Sequence, residues 1–205
     1  MNDIKVVAFD CDGVMFDSVQ SNMDYYNSIL NHFGKPQMTP GQFAHAHMHT
    51  ANEVLGNLFD DPETLEAAHV FRKKMSYWPF IKGMKIEPDL KDLLKKIRPK
   101  YKTAIATNRS DTMQGILVEH GLGGFFDFVV CALDVKNPKP HPESLIKILE
   151  HFDIKPFEAI YVGDSVLDEM AAKGAGVTLV SYKNRDLSAR YHISRLKELE
   201  EILLD

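Results

Sequence analysis

The chain has 205 residues, 44% hydrophobic and 26% charged, an ordinary globular balance that excludes a disordered or fibrous protein. Lys and Arg number 24 against 29 Asp and Glu, and the formal net charge of −5 argues against a general nucleic-acid binder, which would show a basic face. No apolar run approaches the roughly 18 residues of a membrane helix, and Cys11 and Cys131 are far apart with no metal-binding spacing. The start, Met1-Asn2-Asp3-Ile4-Lys5, leads straight into a strand-like segment, so no signal peptide and a reducing cytoplasm are expected.

The first element is the apolar run Val6-Val7-Ala8-Phe9, which stops at Asp10. Residues 16–82 then break the pattern. Val19, Met23, Tyr26, Leu30 and Phe33 recur at helical steps, and further helices are expected near 40–59 and 63–77. This stretch is far longer than one crossover requires, and it reads as a helical domain inserted into a core formed by 1–15 and 83–205. Regular alternation follows. A helix carries Leu90, Leu93, Leu94 and Ile97 behind Pro88, and a strand runs over 103–106. Met113, Ile116, Leu117 and His120 mark a helix capped by Ser110 or Asp111 and closed by Gly121; a strand over 128–130 comes next. Leu145, Ile148, Leu149 and Phe152 form a helix behind Pro142, before a strand over 159–162. Leu167, Met170 and Ala171 mark a helix ending at Gly174, and a strand over 177–180 precedes a last amphipathic helix from Leu196 to Leu204. Wholly apolar strands alternating with helices define an α/β fold, a Rossmann-like parallel sheet covered on both faces with an all-helical insertion.

Polar residues collect where these strands end. Asp10, Thr107 and Asp164 each sit at or just past a strand, and Lys139 lies in the loop after another. In an open parallel sheet that edge forms the ligand crevice. Asp10 and Asp12 are two apart, so in extended backbone both face one side, one as nucleophile or metal ligand and the other as proton donor. Alone, Asp10-Cys11-Asp12-Gly13 also reads as an acidic turn, and Asp164 with Asp168 as a helix cap. Hard oxygen ligands without Cys or His at zinc spacing point to Mg²⁺. Lys139, between Pro138 and Pro140, offers a cation on a stiffened loop, although a solvated lysine in a proline turn reads the same way.

Together these segments resemble the haloacid dehalogenase-like hydrolase superfamily. Asp10-Cys11-Asp12-Gly13-Val14-Met15-Phe16-Asp17-Ser18 matches its first motif, Ala106-Thr107-Asn108 the second and Lys139-Pro140-His141-Pro142 the third. Residues 163–176, beginning Gly163-Asp164-Ser165, match the fourth. The helical insertion resembles the cap of the phosphoglycolate phosphatase and β-phosphoglucomutase-like branch. The resemblance implies Asp10 as the nucleophile that forms an aspartyl-phosphate and Asp12 as general acid and base. Mg²⁺ would be held by Asp10, the Asp12 backbone carbonyl and Asp164. Thr107, Asn108 and Lys139 would bind the phosphoryl group, and Asp168 would orient Lys139 or a metal-bound water. The substrate would be a small phosphorylated metabolite, and the protein a monomer or homodimer.

Mutases of this branch carry Glu where this chain has Gly163, and an arginine where it reads His49-Thr50-Ala51-Asn52. Both departures favour hydrolysis over the mutase alternative; a non-catalytic phosphometabolite-binding module is a further one. Substrate specificity is expected to involve His49, Asn52 and Arg109. Among His45, His47 and His49, an extended loop would bring all three to one side and a helix only His45 and His49. Arg72-Lys73-Lys74 reads as a solvated helix face rather than a subsite for a second anion.

Overall fold

The computed structural model describes residues 4–204; the start at Met1–Asp3, on which the expected lack of a leader rests, lies outside them. Strands β1 (Val6–Phe9), β4 (Lys102–Ala106), β5 (Phe128–Val130), β6 (Ala159–Gly163), β7 (Thr178–Tyr182) and β8 (Tyr191–Ile193) form one parallel sheet in the order β5-β4-β1-β6-β7-β8. The chain builds outward from β1 to β5, then crosses back to β6 and builds the other way. The order therefore reverses between β1 and β6, where a parallel sheet opens a crevice at the carboxyl ends of its strands.

Alternate residues point to opposite faces, and both faces are covered. Val7, Phe9, Ile105, Ile160 and Val180 pack with α6 (Leu90–Ile97) and α7 (Met113–Glu119). Val6, Ala8, Ala104, Tyr161 and Leu179 pack with α8 (Glu143–Phe152) and α9 (Val166–Ala175). The last turns, a 3₁₀ segment Leu196–Glu198 and α10 (Leu199–Leu204), bury Leu196, Leu199 and Leu203 in the first of these layers. Cys11 is buried there too, opposite the carboxylates that flank it in sequence.

The segment between β1 and α6 leaves and returns through a small antiparallel pair, β2 (Phe16–Asp17) with β3 (Lys85–Ile86). Between these lie α1 (Val19–His32), α2 (Pro40–Met48), α3 (Ala51–Leu58), α4 (Pro62–Lys74) and the single turn α5 (Trp78–Ile81). Their apolar faces form a cluster of their own around Tyr25, Tyr26, Ile29, Leu55 and Phe59. The one helix expected over 40–59 is two, because Thr50 starts a new one: its hydroxyl caps Glu53, and the Glu53 carboxylate accepts from the Thr50 N–H.

Smaller differences have similar local causes. The cap position of α7 is Thr112, not Ser110 or Asp111. Gly174 lies inside α9, and Gly176, at φ +69°, ends it in the left-handed conformation that glycine adopts without strain. Met170 is exposed, while Leu167 and Ala171 are buried. No helix among the described residues is long and apolar enough to cross a membrane.

Candidate active site

Asp10 directly follows β1, and its backbone N–H donates to Val162 O on β6 at 2.9 Å. Thr107 follows β4 and donates to Val130 O on β5 at 3.0 Å. Asp164 follows β6, and its carbonyl accepts from the Asn184 side chain at 2.8 Å. Lys139 arrives on the loop before α8, with a cis peptide bond to Pro140. Asp10, Asp12, Thr107, Lys139 and Asp164 line one cavity at the carboxyl edge of the sheet, closed from above by residues of α1, α2 and α4.

Lys139 is the electrostatic centre of this cavity. Its side chain is 3% exposed, with Nζ donating to Asp168 Oδ1 at 2.6 Å and to the Tyr161 hydroxyl at 2.8 Å. Nζ also stands 2.9 Å from Asp10 Oδ1, an ion pair between two buried groups. Asp168, fully buried, is saturated: Oδ1 takes Lys139 and Tyr161, while Oδ2 takes the N–H of Asp164 and both the N–H and hydroxyl of Ser165. A carboxylate so occupied positions Lys139 and has little left for another ligand. Gly163 belongs to this packing, because a Cβ there would lie 2.4 Å from Cβ of Asp168.

Burial and like charge raise two of the carboxyls. Asp10 is pushed up to about 7, by desolvation against the opposing pull of Lys139. Asp164 is pushed up to about 8, by desolvation and then by the charges of Asp10 and Asp168. Desolvation pulls Lys139 down, but Asp10 and Asp168 outweigh it and the ammonium keeps its proton. Ligand atoms of Asp10, Asp164 and Asp168 lie within 4.8 Å of one another. The buried carboxyls of Asp10 and Asp164, both held above their ordinary range, are hard donors that a divalent cation would stabilise, so the residues present fit such an ion. Gly13 makes the approach possible: it sits at φ +76°, and a Cβ there would be 2.1 Å from Asp164 Oδ2.

Asp12 has a different environment. Its Oδ1 accepts from Arg109 Nη2 at 2.6 Å, from Asn22 Nδ2 at 3.2 Å and from the Ser18 hydroxyl. Burial pushes this carboxyl up, but Arg109 more than compensates and holds it below the ordinary carboxylate range. Arg109 also donates to the Tyr77 hydroxyl at 2.9 Å and to Asn22 Oδ1 at 3.1 Å. The result is a network tying the sheet edge to α1 and to the residue before α5.

Not every expected residue is where a ligand would need it. The side-chain amide of Asn108 is occupied: Nδ2 donates to the carbonyls of Lys139 and Met48, and Oδ1 accepts from the Lys139 N–H. It braces the Lys139 loop, so its side chain is no free phosphate donor. Arg109 lines the cavity but is engaged with Asp12. His49 lines the cavity and stacks on His45 with centroids 3.8 Å apart, and His47 lines it too. Asn52 does not; it is exposed on α3 and faces a separate outer cavity shared with Glu53 and Lys136.

The most consequential difference is Arg72. It is not on a solvated face, because its side chain is 10% exposed and lines the central cavity, while Lys73 and Lys74 are exposed. Asn22, Tyr77 and Tyr161 join the site without a motif to mark them: Tyr77 and Tyr161 lie beside apolar residues, and Asn22 on a helix of mixed polarity.

An acidic pocket around one buried lysine, at the carboxyl edge of an open parallel sheet, defines the class: an α/β enzyme acting on an anionic group. A model of the haloacid dehalogenase-like hydrolase family matches residues 7–182, and the chain belongs to that family of hydrolases. Pyrophosphatase PpaX of Bacillus velezensis is 31% identical over 188 residues, 86% of this chain and 82% of its own. Phosphoglycolate phosphatase of Vibrio vulnificus is 28% identical over 186 residues, 85% of this chain and 81% of its own. A subfamily IA hydrolase of the superfamily from Geobacter sulfurreducens, solved by crystallography, is 37% identical over 98% of this chain and 96% of its own, with a TM-score of 0.80.

Proposed function

We propose that the protein is a Mg²⁺-dependent phosphatase that hydrolyses a small phosphomonoester, phosphoglycolate-like or a sugar phosphate, through an aspartyl-phosphate on Asp10. The observation that carries this reading is the buried Asp10 carboxylate, 2.9 Å from the Lys139 ammonium at the carboxyl edge of the sheet. Relatives named as a phosphoglycolate phosphatase and a pyrophosphatase support the substrate class.

Asp10 attacks phosphorus, the ester P–O bond breaks, and the leaving alkoxide takes a proton from Asp12. A water then attacks the acyl-phosphate, giving its proton to Asp12 and releasing inorganic phosphate and free Asp10. Lys139 and the Thr107 hydroxyl meet the phosphoryl oxygens and lower the repulsion between them and the nucleophile. Asp10 and Asp168 keep the lysine charged, and Asp168 and Tyr161 keep it pointed. Arg109 favours ionised Asp12, the form needed as base; proton donation requires that ion pair to part. Asp10, Asp164 and the Asp12 carbonyl would hold Mg²⁺, which supplies neutralising charge at the phosphoryl group when bound.

In this reading residues 16–82 form a cap over a core of 1–15 and 83–205, and β2 with β3 is the place where the two would hinge. The mutase alternative calls for Glu at position 163, and beside Asp168 there is no space for that side chain. The test is phosphate release from a panel of small phosphomonoesters with and without Mg²⁺. Metal-dependent release is expected; no release from any member, with sugar-phosphate isomerisation in the presence of a bisphosphate, would transfer the assignment to the mutase.

A further inference from the structure

The central cavity contains more positive charge than chemistry at one phosphoryl group requires. Lys139 and Arg109 each already face a carboxylate, at 2.9 Å from Asp10 and 2.6 Å from Asp12. Arg72, in the last turn of α4, has a looser and exposed one. Its side chain is nine-tenths buried, and its Nε is buried without a hydrogen-bond partner among the described residues. The carboxylate paired with it, Asp111, stands 3.8 Å from Nη1, beyond hydrogen-bond distance, and is 57% exposed, so water screens it. The Tyr25 hydroxyl, which interacts with the guanidinium, supplies no charge to balance it: burial pushes it up to about 12 and it stays neutral.

A buried guanidinium with an open donor is costly unless something completes it. Nε and one terminal nitrogen form an edge of the planar fork that matches two oxygens of a carboxylate or phosphate. Arg72 stands on the helical segment, across the same cavity from Asp10, Thr107 and Lys139. An anion at Arg72 can therefore belong to the molecule whose phosphoryl group meets Asp10. His47, whose Nδ1 is also buried without a hydrogen-bond partner among the described residues, lines the same space.

We infer that Arg72 determines substrate specificity by binding a second anionic group, carboxylate or phosphate, carried by the phosphoester. This rests on the phosphatase reading above. Arg72 favours short substrates with two anionic ends over neutral esters of the same length, and its effect falls on binding more than on the chemical step.

The test compares kcat/KM for 2-phosphoglycolate, ethylene glycol bisphosphate and 2-hydroxyethyl phosphate, which differ in the distal group: carboxylate, phosphate or neutral. The wild type is expected to prefer one charged compound over the neutral one by at least tenfold, and which one identifies the anion. Arg72→Gln should reduce that ratio at least tenfold, mainly through KM. Arg72→Lys, which keeps charge but not the fork, should restore part of it, and the exposed Lys74→Gln should leave the ratio intact. Absence of any preference in the wild type, or an unchanged ratio in Arg72→Gln, would overturn the inference. If no compound is hydrolysed, the phosphatase reading fails separately. Calorimetric binding of the same three compounds to Asp10→Asn protein, with and without Arg72→Lys, then decides the matter for Arg72: a charged-group preference that weakens supports it, and equal affinities refute it.

Discussion

Gly13→Ala separates a local collision from ordinary backbone strain, because Gly34 supplies a matched control. Gly13 has φ +76° and Gly34 φ +65°, so alanine at either enters the left-handed region, at about 1–2 kcal/mol. At Gly34 nothing lies within 4 Å of the new Cβ, and strain is the whole effect. For a chain of this size it should lower Tm by about 2–4 °C per kcal/mol. At Gly13 the Cβ would stand 2.1 Å from Asp164 Oδ2 and 2.7 Å from its Cγ, so the carboxylate must retreat. Restoring even a 3 Å contact displaces it by about 1 Å, a misplacement that costs on the order of 100-fold in rate. Gly13→Ala should thus lose about 100-fold in kcat/KM and bind divalent cation more weakly, while Gly34→Ala keeps wild-type activity at a similar Tm penalty. Steady-state kinetics, thermal melts and a metal titration on both proteins measure this. Full activity in Gly13→Ala, or an equal loss in Gly34→Ala, would refute the argument that this glycine exists to admit Asp164.

Lys139→Met leaves buried Asp168 and Asp10 facing each other without a cation; removal of one partner of such a cluster costs about 3–5 kcal/mol. Urea unfolding should show that loss together with loss of turnover, and an unchanged midpoint would contradict it. Asp10 and Asp164 have folded-state values of about 7 and about 8 against an ordinary 3.8, so between these limits the native state binds more protons than the unfolded one. Metal-free protein should therefore lose stability as pH rises from about 4 to about 8, and Mg²⁺ should recover it at the upper end. The slope should be shallower in Asp164→Asn; identical slopes in melts across that range would count against the assignment. Asp12→Asn should still bind divalent cation, since its proposed contact is through the backbone carbonyl, but should slow turnover about 10²–10⁴-fold. Parallel calorimetry and kinetics test this, and loss of metal binding would contradict it.

The α/β core was legible because its strands are continuous apolar runs, and their ends carry the acidic residues and the lysine. Strand β8 was not, because Tyr191-His192-Ile193 is short and half-buried and joins an edge whose partner only tertiary structure supplies. The split between α2 and α3 was visible in Thr50 and Glu53 as a capping pair, but periodicity alone masks it. Arg72 was hidden for a different reason. It shares a basic run with two exposed lysines, and which of three consecutive cations turns inward depends on how α4 packs over the sheet edge. Asn108 shows the reverse: its position after β4 was legible, but the bonds that take up its amide come from Lys139 and Met48, distant in sequence.

The central claim is that phosphate passes through Asp10. Rapid quench of the enzyme turning over a labelled phosphomonoester with Mg²⁺, followed by peptide mapping, tests it most directly. One phosphoryl group on the peptide bearing Asp10, absent in Asp10→Asn and without Mg²⁺, is the predicted result. Label on another residue, or sustained turnover by Asp10→Asn, would contradict it.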